Sequence, residues 1–300
     1  MNDGKDFGGG GMHDNLGFDD DQLAAMPTVY RDGLMQDQVV LISGGGSGIG
    51  KGIAFLCARL GAKIVICGRT QEKLTATCDA IEKAVGVRPL NVAMSIREPE
   101  MVDALMDRVF DEYGRLDHLI NNAGGQFPQD AIDFTRKGWS AVIDLNLNGT
   151  WWMMQAAAVR WRERSQQGNI IGIVANVERG MPQAAHTCAA RAGVIYLSKT
   201  LATEWAPLNI RVNTVAGGVI ESEGFRVYPE DALERFHEAN PMRKRGDVWD
   251  IAEACVYLMA PSGDFITGEM LVVDGGQAQN GAVWPAGRPE YFGGKKPNGI

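Results

Sequence analysis

The chain has 300 residues, of which 45% are hydrophobic and 22% are charged, a composition typical of a globular protein that buries a sizeable core. The formal net charge of −8 disfavours nucleic acid or an anionic membrane surface as the main partner. The five cysteines include no Cys-x-x-Cys pair, so we expect no disulfide framework, no metal site and a reduced, cytoplasmic setting. No apolar run approaches the roughly 20 residues that cross a bilayer.

Short apolar runs alternate with amphipathic stretches from residue 39 onward. The predicted strands are 39–42, 63–67, 87–92, 119–120, 170–174, 210–215 and 270–273. The predicted helices are 49–60, 71–85, 101–113, 139–164, 184–205 and 249–259. Strands and helices that alternate at this spacing predict an α/β fold, a doubly wound parallel sheet with helices on both faces.

Both ends and one excursion depart from this alternation. Residues 1–25 are rich in Gly and Asp and are predicted to be a disordered arm, followed by a single domain over residues 26–276. Inside it, residues 219–247 contain two prolines and mixed charge, and they are predicted to form a lid at the carboxyl side of the sheet. Residues 277–300 are predicted to be an extended tail, either disordered or lying across a neighbouring subunit.

A glycine-rich turn joins the first predicted strand to the first predicted helix. Its sequence runs Ser43-Gly44-Gly45-Gly46-Ser47-Gly48-Ile49-Gly50. Glycines allow the backbone to turn sharply and approach a pyrophosphate, and the helix N-terminus offers free N–H groups and the positive end of its dipole. In this strand–turn–helix context, the pattern predicts that the turn binds the phosphates of a dinucleotide.

The end of the second predicted strand indicates which dinucleotide binds. An acidic residue there would hold the two ribose hydroxyls of NAD. The chain instead has Cys67-Gly68-Arg69, and the forked guanidinium of Arg69 suits a charge-assisted contact with a 2′-phosphate. We therefore predict NADPH (NADP) as the cofactor. In the alternative interpretation, Arg69 is solvated or stacks on adenine.

Further motifs follow in order along the chain. They are Asn121-Asn122-Ala123-Gly124, Asp144-Leu145-Asn146-Leu147-Asn148-Gly149-Thr150, Ile210-Arg211-Val212-Asn213, and Thr267-Gly268-Glu269 with Val273-Asp274-Gly275-Gly276. Together with the glycine turn they resemble the short-chain dehydrogenase/reductase family over about residues 38–276. The resemblance implies a Rossmann fold with a seven-stranded parallel sheet and a homo-oligomer, a dimer or a homotetramer. It also implies cofactor contacts at Ser95, Asn122, Ala123, Gly124, Arg191, Gly218 and Val219.

The catalytic positions of that family are largely replaced. The resemblance implies a tetrad of Asn, Ser, Tyr and Lys, in which Tyr passes a proton to or from an alcohol oxygen and Lys lowers the Tyr pKa. Alignment on residues 192–194 puts Thr187 at the Tyr position and Arg191 at the Lys position, no Ser stands near 174–176, and only Asn146 remains. A Thr hydroxyl is a poor acid because its pKa lies far above that of a phenol, whereas Arg still holds a ribose or polarises an oxygen.

The replaced residues resemble one branch of the family, the peroxisomal trans-2-enoyl-CoA reductases and the 2,4-dienoyl-CoA reductases. The segments that carry this resemblance are Gly125-Gln126-Phe127, Lys137-Gly138-Trp139 and His186-Thr187-Cys188-Ala189-Ala190-Arg191. It implies NADPH-dependent reduction of a carbon–carbon double bond in an enoyl-CoA or dienoyl-CoA thioester, as in fatty acid metabolism. Hydride addition to such a thioester drives charge onto its oxygen, so we expect donors aimed at that oxygen.

We expect Thr187 and Gln126 to be those donors, with Arg191 adding positive charge and a water ordered by Asn146 protonating the enolate. Asn176 is a weaker candidate for a residue that acts on the substrate. Alternatives remain open: the Thr187 hydroxyl bonds its own helix, and Gln126 is a surface residue.

Two nearby residues are interpreted as structural. Asp274, which precedes two glycines, is predicted to form a turn rather than to act as an acid. His186 is predicted to be a packing or subunit-contact residue, because one step along a helix turns it about 100° away from Thr187.

Two other functions remain open at this point. One is reduction of a bulky ketone or oxidation of an alcohol, steroid-like or polyketide-like, by an atypical active site in which Tyr228 is the acid. The other is a catalytically inactive NADPH-binding sensor or scaffold, since Tyr, Ser and Lys are all replaced.

Overall fold

The computed structural model of the chain describes residues 16–227 and 230–279. Its strands are β1 Val39–Ser43, β2 Lys63–Gly68, β3 Leu90–Ala93, β4 His118–Asn121, β5 Gly168–Ala175, β6 Ile210–Gly217, β7 Ile220–Glu221, β8 Gly246–Asp247 and β9 Met270–Val273. Seven of them form one parallel sheet in the order β3-β2-β1-β4-β5-β6-β9, while β7 pairs with β8. This is the predicted doubly wound Rossmann architecture.

Helices lie on both faces of the sheet. They are α1 Asp20–Ala25, α2 Gly48–Arg59, α3 Gln71–Val85, α4 Pro99–Tyr113, α5 Arg136–Ile143, α6 Gly149–Glu163, α7 Ala185–Trp205, α8 Glu230–Arg235 and α9 Val248–Met259. Within the described part of the chain, none of them combines the length and the apolar character needed to cross a bilayer.

The central strand β1 shows why its sequence is apolar at successive positions. Val40 and Ile42 pack with α2 and α9 on one face, whereas Val39 and Leu41 pack with α4 and α6 on the other. Side chains of a strand alternate between faces, so a strand covered on both faces needs a continuous apolar run. The two clusters therefore hold the sheet between two helical layers.

The strand order places the functional groove. From β1 the chain moves outward to β2 and β3 and then crosses back to β4, which lies on the other side of β1. Ser43, at the end of β1, is in register with Asn121, at the end of β4. The loops that follow these strands diverge, and ligands of such sheets bind in the crevice that this divergence opens.

The helix predicted over 139–164 is interrupted. A π-helical turn, Asp144–Asn148, separates α5 from α6. The Thr150 hydroxyl donates to the carbonyl of Asn146 over 2.9 Å. Gly149 fits here because a Cβ would lie 2.8 Å from the Ile96 side chain. The wider turn departs from α-helical periodicity, and such π turns are frequent at functional sites.

The predicted disorder of 1–25 is wrong for its last part. α1 (Asp20–Ala25) begins with a capping box, and its Leu23 is only 2% exposed. Arg59 donates to the carbonyls of Leu23 and Met26 over 3.2 Å and 2.7 Å. One buried leucine and these bonds to α2 outweigh the polar composition of the segment.

Other terminal predictions fall mostly outside the described residues. Gln277–Gln279 forms a single 3₁₀ turn at the start of the predicted tail. Residues 1–15 and 280–300 lie outside the described residues, as does Tyr228.

His118 lies buried at the amino-terminal edge of the sheet. Its Nε2 is 2.7 Å from Gln38 Oε1, and its Nδ1 is 3.2 Å from Asn169 Nδ2. An amide oxygen accepts and an amide nitrogen donates, so Nε2 carries the proton and the ring is neutral. Burial lowers the pKa of His118 to about 4 and outweighs the nearby carboxylate of Asp117, which raises it.

This buried ring should make the fold sensitive to mild acid. Between about pH 6.5 and pH 4 the unfolded chain binds a proton at His118 that the folded chain does not, so stability falls as the pH falls through this window. By pH 5 the loss should reach about 2 kcal/mol. We expect His118→Gln to remove this part of the pH dependence, measured by urea unfolding at pH 7.5 and pH 5. His237→Gln is the control. If the two variants lose the same free energy of unfolding between pH 7.5 and pH 5, the prediction is wrong.

Candidate active site

Two adjoining cavities open at the carboxyl edge of the sheet. The first cavity, about 330 Å³, lies over the glycine turn and the end of β2. The second cavity, about 400 Å³, lies between the ends of β5 and β6 and the start of α7. Both are lined by Ile49, Asn122, Gly124 and Gly224. Because they share these residues, the two cavities form one groove.

Most of the predicted site residues line this groove. Those that line the first cavity are Gly44, Gly46, Ser47, Gly48, Ile49, Arg69, Ser95, Asn122, Ala123 and Gly124. Those that line the second cavity include Gln126, Asn146, Thr187, Arg191 and Gly218. Ser43, Gly50 and Val219 line neither cavity.

Ser43 and Gly50 support the glycine turn from behind. The Ser43 hydroxyl oxygen accepts the N–H groups of Asn122 and Ala123 over 3.1 Å and 3.0 Å. A Cβ on Gly50 would lie 2.5 Å from Asn122 Nδ2 and would overlap the carbonyl oxygen of Gly44. Glycine at 50 therefore lets α2 start close against the loop that follows β4.

The turn itself has the shape of a phosphate cradle. Gly44 and Gly48 have φ angles of +70° and +53°, which other residues adopt only with strain. Ser47 precedes α2, but its side chain does not cap the helix. The first N–H groups of α2 therefore remain available to a ligand. A pyrophosphate suits this cradle because its charge meets the positive end of the α2 dipole.

Two cations line the far end of the first cavity. Arg69 and Lys73 stand there, and no acidic side chain lines that cavity. Lys73 Nζ is 3.8 Å from Glu223 Oε2, an exposed pair of small energetic weight. The sequence reasoning missed Lys73, although its place in the first turn of α3, just after Arg69, was an available signal. The pair gives the cavity a positive end that fits a 2′-phosphate.

Arg191 brings a mostly buried cation into the second cavity. Its guanidinium packs against Gly124, where a side chain of any size would overlap it. Burial lowers the pKa of Arg191 to about 10, and no carboxylate offsets that effect. The guanidinium therefore remains charged at neutral pH, and among the described residues no acid neutralises it.

Thr187 is held in place by its neighbour. α7 follows Ala184, whose methyl side chain cannot cap the helix, and the His186 ring accepts one N–H group of the first turn instead. The Thr187 N–H donates to His186 Nδ1 over 2.7 Å, and Thr187 Oγ1 lies 3.3 Å from the same nitrogen. The ring contacts Phe127 and Phe134 with centroids 4.6 Å and 4.4 Å away. Burial lowers the pKa of His186, so the ring stays neutral.

His186 is thus a packing residue, as predicted, but it is not turned away from Thr187. The ring folds back along its own helix and reaches Thr187. The prediction considered only the 100° between the two Cα positions and not the reach of the side chain. The structure does not show the alternative in which the Thr187 hydroxyl bonds a carbonyl of its own helix, because the hydroxyl contacts His186 Nδ1.

The Asn146 side chain is bonded to the loop that follows β4. Its Oδ1 accepts the Gly125 N–H over 2.9 Å, and its Nδ2 donates to the Gly125 carbonyl over 3.0 Å. The π turn places the amide at this point. Asn146 therefore fixes the backbone beside Gln126, and the water-ordering role expected from the sequence stays a prediction.

Asn176 and Asp274 form a separate structural unit. Asn176 Nδ2 donates to Asp274 Oδ2 over 2.7 Å. The Asp274 carboxylate also accepts the N–H groups of Gly276 and Ala278 over 2.8 Å and 2.7 Å. The prediction that Asp274 forms a turn is confirmed, and Asn176 lines neither cavity.

The start of the predicted lid, residues 220–225, lies beside the groove. The segment 219–247 leaves β6 and returns through β8, with the Gly246 N–H donating to the Val219 carbonyl over 2.9 Å. Ser222 lines the first cavity and Phe225 lines the second. Among the described residues, no tyrosine lines either cavity.

Comparison with known proteins agrees with this geometry. A family model described as enoyl-(acyl carrier protein) reductase matches residues 44–278. A probable 2,4-dienoyl-CoA reductase of Bacillus subtilis is 36% identical over 251 residues, which are 82% of this chain and 98% of that protein. The peroxisomal 2,4-dienoyl-CoA reductase of Mus musculus is 36% identical over 265 residues, 86% of this chain and 89% of that protein.

Solved structures give the same result. A citronellol catabolism dehydrogenase of Pseudomonas aeruginosa has a TM-score of 0.75 at 33% identity, covering 84% of this chain and 99% of that one. A short chain dehydrogenase of Bacillus anthracis has a TM-score of 0.74 at 38% identity, covering 81% and 97%. The chain belongs to the short-chain dehydrogenase/reductase family of oxidoreductases, as its motifs predicted.

The bonds between Asn146 and Gly125 can be tested by removing the amide. Asn146→Ala leaves the N–H and carbonyl of Gly125 without these partners and should lower the free energy of unfolding by roughly 1–3 kcal/mol. Asn148→Ala is the matched control, because its amide bonds only Asp144 within the same π turn. Urea unfolding of both variants measures the difference, and equal losses would refute the special role of Asn146.

Proposed function

We propose that the protein is an NADPH-dependent reductase of a carbon–carbon double bond in a 2-enoyl-CoA or 2,4-dienoyl-CoA thioester. The observation that carries the proposal is the second cavity, which is lined by Thr187 and the Arg191 cation and, within residues 16–227 and 230–279, by no tyrosine. The names of the two dienoyl-CoA reductase relatives support the same substrate class.

The first cavity would hold the cofactor. The glycine turn and the start of α2 would bind the pyrophosphate, while Arg69 and Lys73 would contact the 2′-phosphate. When bound, NADPH supplies the hydride. Gly124 would allow the ring end of the cofactor to pass beside Arg191, since no side chain separates them.

The residues of the second cavity would act on the thioester oxygen. Thr187 and Gln126 would donate hydrogen bonds to that oxygen as negative charge develops there, and Arg191 would stabilise the charge from a site with little competing water. Asn146 would keep Gln126 in position through Gly125. Water would then protonate the substrate enolate at carbon, because no phenol is available among the described residues to do so.

We also propose a cytoplasmic homo-oligomer. On α7, Tyr196 is 71% exposed, and Lys199 Nζ lies over its ring, 5.1 Å from the centroid. The homo-oligomer that the family resemblance implies would pair long helices such as α7 side by side. Sedimentation velocity gives the oligomeric state directly.

The central test is turnover with NADPH. We expect absorbance at 340 nm to fall when the protein is mixed with NADPH and crotonyl-CoA, a longer 2-enoyl-CoA or a 2,4-dienoyl-CoA. Thr187→Val keeps the shape of the side chain, removes the hydroxyl and should lower kcat by about 10²-fold. Thr200→Val is the matched control on the same helix, because its exposed hydroxyl bonds only the Tyr196 carbonyl.

Two outcomes would reject the proposed function, and a third would reject the role of Thr187 in it. Oxidation of NADPH with a ketone but with no acyl-CoA favours a carbonyl reductase. Tight NADPH binding without turnover of any substrate favours an inactive sensor. An unchanged rate in Thr187→Val removes that hydroxyl from the reaction.

The cofactor preference gives an independent test. The double variant Arg69→Ser/Lys73→Ala removes both cations from the first cavity and should raise the Kd for NADPH by about 10- to 100-fold. The Kd for NADH should change far less, because NADH has no 2′-phosphate. Fluorescence titration measures both constants, with Lys83→Ala on α3 as control. Equal losses for the two cofactors would contradict the assignment.

A further inference from the structure

A separate groove of about 440 Å³ lies where α5 meets the start of α7, and we call it the α5 groove. Its walls include Phe134, Arg136, Trp139 and Ala185. Trp139 is 40% exposed, although tryptophan is among the side chains with the most apolar surface to bury. The groove therefore presents an aromatic face to solvent, and its volume is within the range of small-molecule sites.

The α5 groove adjoins the structure that positions Thr187. Ala185, in its wall, is two residues before Thr187 on α7. Phe134, also in its wall, stacks on the ring of His186 with centroids 4.4 Å apart and lies 6.5 Å from the Trp139 ring. The loop that leads to Phe134 begins at Gly125 and Gln126, which line the second cavity. One loop and one helix start thus border both sites.

The charged side chain in the wall of the groove, Arg136, is positive, while Asp130 and Asp133 stand on the loop that precedes Phe134. Arg136 and Lys137 are exposed in the first turn of α5, and that turn contains no acidic residue. Cations at the positive end of a helix dipole are unfavourable without an anion. The nearby Asp130 carboxylate is bonded by the Gln183 amide over 3.0 Å. In a protein of net charge −8, two cations next to an open aromatic surface suit a ligand with both phosphate groups and a flat ring.

We propose that the α5 groove binds the 3′-phosphoadenosine diphosphate end of a coenzyme A thioester whose acyl end lies in the second cavity. Trp139 would stack on the adenine, while Arg136 and Lys137 would contact the phosphates. This inference rests on the proposed function, because it assigns the nucleotide half of the same substrate. Binding energy from this remote half helps to place the thioester beside Thr187.

The test compares two substrates with the same reacting group. Crotonyl-CoA carries the nucleotide, whereas the crotonyl thioester of N-acetylcysteamine does not. In Trp139→Ala and in Arg136→Glu/Lys137→Glu, we expect the ratio of kcat/KM for crotonyl-CoA to kcat/KM for the short thioester to fall about tenfold. Adenosine 3′,5′-bisphosphate should compete with crotonyl-CoA in the wild type and far more weakly in both variants.

Two control variants test whether any loss of exposed apolar surface, or any charge reversal on the surface, has the same effect. Ile132→Ala removes an exposed apolar side chain from the same loop, and Arg108→Glu reverses an exposed charge on α4. Both should keep the wild-type ratio. An unchanged ratio in the Trp139 and Arg136/Lys137 variants overturns the inference even when the wild type reduces both thioesters. A change in sedimentation on Trp139→Ala also overturns it, since the groove is then a contact between copies of the chain.

Failure of the proposed function looks different. In that case the wild type reduces neither thioester. Calorimetry with adenosine 3′,5′-bisphosphate then tests the nucleotide site separately from the reductase function. Binding that disappears in Arg136→Glu/Lys137→Glu would support the nucleotide site without any turnover.

Discussion

The whole site depends on one junction, the place where the ends of β1 and β4 are held together. The Ser43 hydroxyl accepts two backbone N–H groups of the loop after β4, and Gly50 brings α2 against the same loop. Ser43 is fully buried, so water cannot take the place of its hydroxyl without cost. The junction fixes the glycine turn relative to Gly124, and through Gly124 it fixes the space left for Arg191.

The second cavity illustrates how a changed residue set alters the chemistry that a fold supports. Burial would make an uncompensated charge costly, and the Arg191 guanidinium tolerates it because its pKa, even when lowered to about 10, stays above neutrality. An ammonium in the same place would lose its proton more readily. His186 remains neutral, so the proposed oxygen site has one cation and neutral donors. Such a set stabilises a developing oxyanion better than it delivers a proton.

The sequence predicted the sheet because its signals are local. Apolar runs such as Val39–Ser43 reflect burial on both faces, and the glycines of the turn reflect φ angles that other residues avoid. What it could not predict depends on contacts between distant segments. Leu23 orders α1 only because a core is there to receive it, and the role of Asn146 requires a π turn that helical periodicity conceals. The contact of His186 with Thr187 depends on the rotamer of a ring packed between Phe127 and Phe134, two residues of a distant loop.

The packing of Gly124 against Arg191 determines where the cation of the second cavity can lie. A Cβ at position 124 would overlap the guanidinium, so even an alanine there would force Arg191 to move. The glycine that the family motif has at this position thus leaves room for the larger guanidinium at 191. One methyl group on the loop after β4 would therefore shift the charge in the second cavity, although the sequence of α7 stayed the same.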